Sequence, residues 1–422
     1  MTSGVIAILI VLLTLVLMVT QVFPLSVSAF LAAFAMAAFG LLKPSEILAQ
    51  FGTGTFFCVP GMMVVGGAIF KTGLAHRLGR RILRGDRSER VFIAVLIAVV
   101  TLMSAFLSNT TCAAMFLPLA ASAANNSGGR ITRRNSYMCV GFAAKLGGCA
   151  TLVGSPSQHL LAQEILTSGG YEPMSFFHGM PATLLMMVVM ILYFVTVGYT
   201  LENKVFNFPE KKEDPALTME DQKLDYKMIL SGIILVSAVV CIALGVLGSG
   251  EGALLGAVLL VATGCISLQT ALDCISWPIC LMLGGLFAMT RGFNNSGAGD
   301  MIVSFVVRAF GNETSPFLIF ALTMLLAGLL TNVLDNIATQ ALLGPTYMAL
   351  AIHYGIDVTT MLYALIFSCN LAYLTPVGTP SVALTLSGGY RFHDYFKVGM
   401  PLWLLGYLFT LFVIPLLYGF YA

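Results

Sequence analysis

The stretch "LSNTTCAAMFLP", residues 107–118, sets four polar residues, Ser108 to Thr111, inside apolar sequence. Residues 91–107 carry no charge, and the sequence after the knot turns apolar again. A helix that simply crosses an apolar medium has no use for such a knot in its middle. What the chain does there decides how it is built.

Composition identifies the medium. The chain has 422 residues, 58% of them hydrophobic and 9% charged. Soluble domains carry about 25% charged residues. Mean hydropathy is +0.92. This is an integral membrane protein, whose backbone must satisfy its own hydrogen bonds in lipid. Apolar blocks of about 17–25 residues recur along the chain, so the spans are helices and not barrel strands. Residues 4–21 read as a first span and not a cleaved signal peptide. No basic segment precedes them, and another apolar block follows. The net charge of +2 names no partner. The nine cysteines lie in or beside apolar blocks without a CxxC or metal spacing, and read as buried thiols. Abundant glycine, 42 residues, suits close helix packing in a membrane.

The chain is written twice. The one long polar stretch, 202–227, separates residues 1–201 from 228–422. "SNTTCAAMFLP" (108–118) aligns without gaps on "DNIATQALLGP" (335–345), and "TLVGSPS" (151–157) on "TPVGTPS" (375–381). "SGGYEPMSFFHGMP" (168–181) matches "SGGYRFHDYFKVGMP" (387–401), and "PGMMVVGG" (60–67) matches "PICLMLGG" (278–285). Four matches in one order indicate an internal repeat. Each half reads as three spans, a short polar helix, a long apolar segment broken by the knot, a span broken at Gly-Ser/Thr-Pro, and a last span. The broken apolar segments are about 91–124 and 315–349, and the broken spans about 136–164 and 358–386.

Lysine and arginine set the topology. Lys71, Arg77, Arg80, Arg81, Arg84, Arg87 and Arg90 precede the first broken segment, and Arg130, Arg133 and Arg134 follow it. A single crossing at 91–124 would put these clusters on opposite sides of the membrane. A re-entrant hairpin turning at the knot puts both in the cytoplasm. Every Lys and Arg except Lys43, Lys145, Arg291 and Arg308 then lies on that side. The expected fold is an all-α polytopic membrane protein with two inverted repeats. Each has five transmembrane helices and one re-entrant hairpin. The linker 202–227 is cytoplasmic and both termini are outside. Residues 73–90 place Leu74, Leu78, Ile82 and Leu83 on one helical face and arginines on the rest, the pattern of a helix lying on the membrane surface. It is read as a lipid-facing element, with no role for nucleic acid.

Inverted repeats with broken helices describe secondary transporters, whose sites lie near the midplane between the halves. A hairpin tip has free N–H groups at one helix start, which suit a carboxylate, and free carbonyls at the other helix end, which suit a cation. In the first half Ser104, Ser108, Asn109 and Thr110 add neutral ligands. The aligned residues of the second are Thr331, Asp335, Asn336 and Ile337. At Gly154-Ser155-Pro156 and Gly378-Thr379-Pro380, proline removes a donor and glycine lets the chain unwind. That frees the Gly154 and Gly378 carbonyls for a cation and places the Ser155 and Thr379 hydroxyls for a substrate.

With "SNT" on a hairpin, "VGSP" and "VGTP" on broken spans, and inverted halves, the chain resembles the divalent anion–sodium symporters over nearly its whole length. The resemblance implies a homodimer with a scaffold domain and a transport domain that moves like an elevator. It implies di- or tricarboxylates, or sulfate, bound between the hairpin tips, and one sodium site in each half. By position, the first sodium site would be Ser104, Ser108, Asn109 and the Gly154 carbonyl. The second would be Thr331, Asp335, Asn336 and the Gly378 carbonyl. Substrate would meet Ser108, Asn109, Thr110, Asn336 and Thr379, beside Pro156 and Pro380.

The chain departs from that pattern twice. The second motif reads Asp335-Asn336-Ile337 where the family has Ser-Asn-Thr. Isoleucine cannot donate to a carboxylate, and an ionised aspartate would repel one. Lys145, in "FAAKLGGCATLVGSP", falls near mid-membrane, too deep for its charge to reach water easily. Its charge could replace a sodium ion, face the substrate or pair with Asp335. Proton coupling or anion exchange then joins sodium symport as a drive. His159, one turn past Ser155, reads as a packing residue or a proton relay. No P-loop, HExxH or nucleophile–base pair is present, so neither an enzyme nor an ATP motor is expected, and no organic cofactor. The leading expectation is a secondary transporter of small organic anions in the cytoplasmic membrane. The alternative is a cation/proton antiporter using Lys145 and Asp335.

Overall fold

The computed structural model describes residues 2–20, 22–74, 77, 88–206, 225–310, 314–376 and 379–422. Most of the arginine-rich segment 73–90, most of the linker 202–227, and Gly378 lie outside the described residues. Among the described residues all named elements are helical, and the only β pairing is an isolated bridge between Ile356 and Tyr421.

The helices come in the same order in both halves. The first half opens with α1 (Ser3–Thr20), α2 (Leu25–Ala38), the short α3 (Pro44–Ala49) and α4 (Gly54–Lys71). It continues with α5 (Glu89–Ser104), α6 (Asn109–Asn126), α7 (Arg133–Gly147), α8 (Pro156–Ser168), α9 (Met180–Val195) and α10 (Val197–Val205). The second half runs α11 (Tyr226–Ala243), α12 (Ser249–Ala262), the short α13 (Leu268–Asp273), α14 (Trp277–Asn295) and α15 (Ala298–Phe310). It ends with α16 (Pro316–Leu330), α17 (Asn336–Tyr354), α18 (Val358–Cys369), α19 (Pro380–Ala383) and α20 (Phe392–Tyr418). The last span of the first half, read from the sequence as one helix, bends by 49° between α9 and α10. That bend has no counterpart in the 27-residue α20.

The halves interlock. Helix α4 packs along α12 and helix α14 along α2. Small residues set both contacts: a Cβ on Gly61 would lie 2.7 Å from the Ala253 backbone, and one on Gly285 would lie 2.8 Å from that of Ala29. Lipid tails are as apolar as the helices, so close backbone approach, not hydrophobic sorting, drives such contacts.

Three helices are wrapped by the rest. Residues Asn135–Gly147 of α7, Pro156–Leu166 of α8 and Thr360–Cys369 of α18 are buried. The rings of Phe142 and Tyr373 lie 4.7 Å apart where α7 meets the residues after α18. The chain's last residues are tied back: the Asp357 N–H donates to Phe420 O at 2.9 Å and the Ala422 N–H to Gly355 O at 3.2 Å. The C-terminal residues thus pair with the turn between α17 and α18.

Candidate functional site

The knot is where α5 stops and α6 begins. Ser108 sits in extended conformation at the start of α6, and its Oγ accepts the Thr111 N–H at 3.3 Å. Serine is among the best residues for that position, because its oxygen takes one of the helix's unpaired N–H groups. One turn earlier, Ser104 Oγ donates to Ala144 O at 2.6 Å and lies 3.0 Å from the Asn109 amide. That amide faces Gly154 O at 3.3 Å, Ala144 O at 3.1 Å and Ser155 Oγ at 3.1 Å. An amide nitrogen belongs against the two carbonyls, so Asn109 donates to them and its oxygen accepts from Ser155. Ser108 Oγ turns instead to the Thr111 hydroxyl, 2.8 Å away.

The break behind the knot runs from Gly148 to Ser155, longer than the Gly-Ser-Pro step alone. Two glycines hold it against the knot. A Cβ on Gly148 would lie 2.6 Å from Asn109 Oδ1, and one on Gly154 would lie 2.7 Å from Ser104 O. Thr151 Oγ1 donates to Ala105 O across the same seam. Pro156 opens α8, where its missing N–H costs nothing.

The second half repeats the cluster. Thr331 Oγ1 donates to Cys369 O at 2.6 Å and lies 2.8 Å from Asn336 Oδ1, as Ser104 meets Ala144 O and Asn109. Asp335 takes the capping place of Ser108, and its Oδ1 accepts the Ile337 N–H at 2.9 Å. Asn336 Nδ2 lies 3.4 Å from Asn370 Oδ1, and Asn370 Nδ2 donates to Gln158 Oε1 at 3.0 Å. Lys145, fully buried, reaches from the first half to donate from Nζ to Asn336 Oδ1 at 3.2 Å. No carboxylate oxygen of a described residue lies within ion-pair distance of Lys145.

Both knots and both breaks open on one cavity of about 680 Å³. That is the size of a small-ligand site. Ser108, Asn109, Thr110, Ser155, Pro156, Asn336, Thr379 and Pro380 all line it, as do Gly154 and Asp335. The starts of α6, α8 and α17 therefore face one space, each with partial positive charge and N–H groups not used within the helix. Thr379 Oγ1 is buried and finds no hydrogen-bond partner among the described residues. Ser104, Thr331 and Lys145 lie behind the lining and support it. His159 is buried with its Nδ1 3.1 Å from Ser155 O, and it too stays behind the wall. The opposite wall, unread from the sequence, includes Met62, Phe70 and Lys71 of α4 with Asp273 and Ile279. Gln158 and Asn370 were also missed. The aligned motifs set Lys145 opposite Cys369 and so gave no signal for Asn370; only the structure shows that it follows Cys369 as Lys145 follows Ala144, the residues whose carbonyls take the Thr331 and Ser104 hydroxyls.

Comparison with known proteins agrees. The family model described as "Citrate transporter" (CitMHS) matches residues 15–367. An uncharacterised transporter of Haemophilus influenzae is 26% identical over 92% of this chain and 86% of its own. A sodium-dependent high-affinity dicarboxylate transporter of Caenorhabditis elegans is 24% identical over 88% of this chain and 75% of its own. The sodium-dependent dicarboxylate transporter SdcS of Staphylococcus saprophyticus is 22% identical over 88% of this chain and 78% of its own. The solved YdaH transporter of Alcanivorax borkumensis superposes with a TM-score of 0.67 at 14% identity, covering 88% of this chain and 87% of that one. The last match speaks for the fold alone.

Proposed function

Because the chain belongs to the citrate transporter family, we propose that it carries small di- or tricarboxylates across the cytoplasmic membrane by elevator-type alternating access. It is a multi-pass membrane transporter of that family and not an enzyme. The substrate class, the coupling ion and the elevator movement are the proposal.

The observation that carries it is the shared cavity. Three helix starts of eight residues or more and the hydroxyls of Thr110, Ser155 and Thr379 face it together. Partial positive charge and unpaired donors around one cavity favour a small ligand that is anionic at more than one end. The first half offers the better anion cradle. In the second, Asp335 and Ile337 replace Ser108 and Thr110, and Asp335 already consumes one N–H.

The basic residues on both flanks of α5–α6, Lys71 and Arg90 before it and Arg130, Arg133 and Arg134 after it, support a re-entrant hairpin there, since both flanks then lie on one side of the membrane. On this reading the α1–α4 and α11–α14 groups form the scaffold, the helices of the two knots and breaks move with the substrate, and two chains pair through their scaffolds. The first-half cluster of Ser104 Oγ, the Asn109 amide, Ala144 O and Gly154 O offers neutral oxygens to a sodium ion, as unwound carbonyls do in transporters.

The antiporter reading needs Lys145 and Asp335 as a titrating pair. These two are not ion-paired in the structure; Lys145 bonds an amide and Asp335 caps a helix. Reconstitution in liposomes tests the proposal. Labelled succinate, citrate, malate and sulfate are offered with and without sodium and pH gradients. Gradient-driven uptake or exchange of a carboxylate is expected. No anion movement under any condition, together with sodium-induced proton efflux, would overturn it.

A further inference from the structure

Resting on the reading that the two clusters behind the cavity are the cation places of a transporter, we propose that the Lys145 ammonium is the built-in cation of the second half. It stands where a coupling sodium ion would otherwise bind and keeps that ion out. The chain then takes one sodium ion, in the first half.

The inference comes from comparing the two clusters atom by atom. Each joins a hydroxyl, the last carbonyls of a buried helix and an asparagine at a helix start: Ser104, Ala144 and Asn109 in one, Thr331, Cys369 and Asn336 in the other. In the first, the partners around the asparagine are two hydroxyls and two carbonyls, all neutral. In the second, Asn336 Oδ1 accepts from Lys145 Nζ at 3.2 Å and lies 2.8 Å from Thr331 Oγ1, whose single proton is shared with the nearer Cys369 O. The first cluster has an oxygen to turn toward a metal ion. The second has its oxygen already turned toward a positive charge.

The asymmetry arises from one position. Lys145 and Asn370 hold the same place in the two clusters, each following the residue whose carbonyl takes the cluster hydroxyl. Asn370 also reaches across, bonding Gln158 Oε1 of the first half at 3.0 Å besides Ile366 O at 2.9 Å, but it brings a neutral amide where Lys145 brings a charge. Lys145 crosses to Asn336, 191 residues away. Its side chain is fully buried, so the charge cannot be screened by water or moved aside into it. A sodium ion at Asn336 would sit beside that charge and repel it in an interior of low dielectric. The adjoining Asp335 is within ion-pair distance of no described cation, and one of its oxygens accepts from the start of α17.

The test is a count of bound sodium. Equilibrium dialysis of the purified full-length chain in detergent against radioactive sodium is expected to give one ion per chain. Lys145→Ala should raise the count to two, and Lys145→Met, which keeps the volume without the charge, should raise it as well. A wild-type count other than one overturns the proposal, as does a count that stays at one in either variant when that variant elutes as a folded species. Should neither variant fold, the wild-type count decides alone. Absence of any anion movement together with sodium-induced proton efflux would sink the transport reading and leave the sodium count unaffected, so the two ideas fail separately.

Discussion

The Asn109 amide meets Ser155 Oγ at 3.1 Å, joining the start of α6 to the break before α8. The same amide reaches the carbonyls of Ala144 and Gly154, so one side chain sets both faces of the first-half site. Asn109→Ala removes all of these bonds and leaves the carbonyls facing a void. Uptake should fall about a hundredfold or more, since three or four lost bonds to neutral partners are worth about 0.5–1.5 kcal/mol each and together hold the site's geometry. The variant should still elute as the wild type does. Full activity would discard Asn109 as a site residue.

Gly148 has no room for a side chain. Its Cβ would press on Asn109 Oδ1 at 2.6 Å and on Ser155 Oγ. Gly148→Ala should destabilise the protein by about 1–3 kcal/mol through overpacking. It should also impair transport more than its loss of melting temperature explains, because the atoms displaced are those of the site. Thermal unfolding in detergent and uptake at a temperature well below the transition separate the two effects.

Thr379 tests the cavity from its other side. The hydroxyl is buried and finds no hydrogen-bond partner among the described residues, so its removal breaks no bond to them. Thr379→Val should leave the melting temperature unchanged or raise it. The KM for the transported anion should rise about tenfold, the loss of one hydrogen bond to a charged ligand. An unchanged KM would remove Thr379 from the substrate contacts.

Asp335 is the one acidic residue among the lining residues of the knots and breaks. Asparagine caps a helix as well as aspartate does, so Asp335→Asn keeps α17 intact and removes the charge alone. With a like charge gone from the anion's surroundings, the KM for a dicarboxylate should fall about tenfold. A higher KM with weaker sodium dependence would instead make Asp335 a cation ligand.

Much of this was readable from residue types and order. Apolar blocks gave helices, and the paired motifs "SNTTCAAMFLP" and "DNIATQALLGP" marked where two helices stop and restart. The breaks begin earlier than their Gly-Ser/Thr-Pro steps, at Gly148 and Asn370, because close packing against the knot starts there. The partner of Lys145 was not readable. Nothing local to residue 145 points to residue 336; that contact exists only once two halves separated by a polar linker have docked. The α4 wall of the cavity was hidden for the same reason. Phe70 and Met62 look like any apolar span residue until the fold turns them toward the knots.

The pairing of residues 420–422 with the turn at 355–357 also bears on how the protein is handled. Asp357 lends its side chain to the start of α18 at the Thr360 N–H, 2.7 Å away, while its own N–H is held by Phe420. A purification tag or fluorescent reporter fused directly after Ala422 would pull on the segment that orients α18, the buried helix whose end carries the Cys369 carbonyl of the second cluster. Such fusions should be attached at the amino terminus, or spaced by a flexible linker, before any loss of transport is blamed on the site.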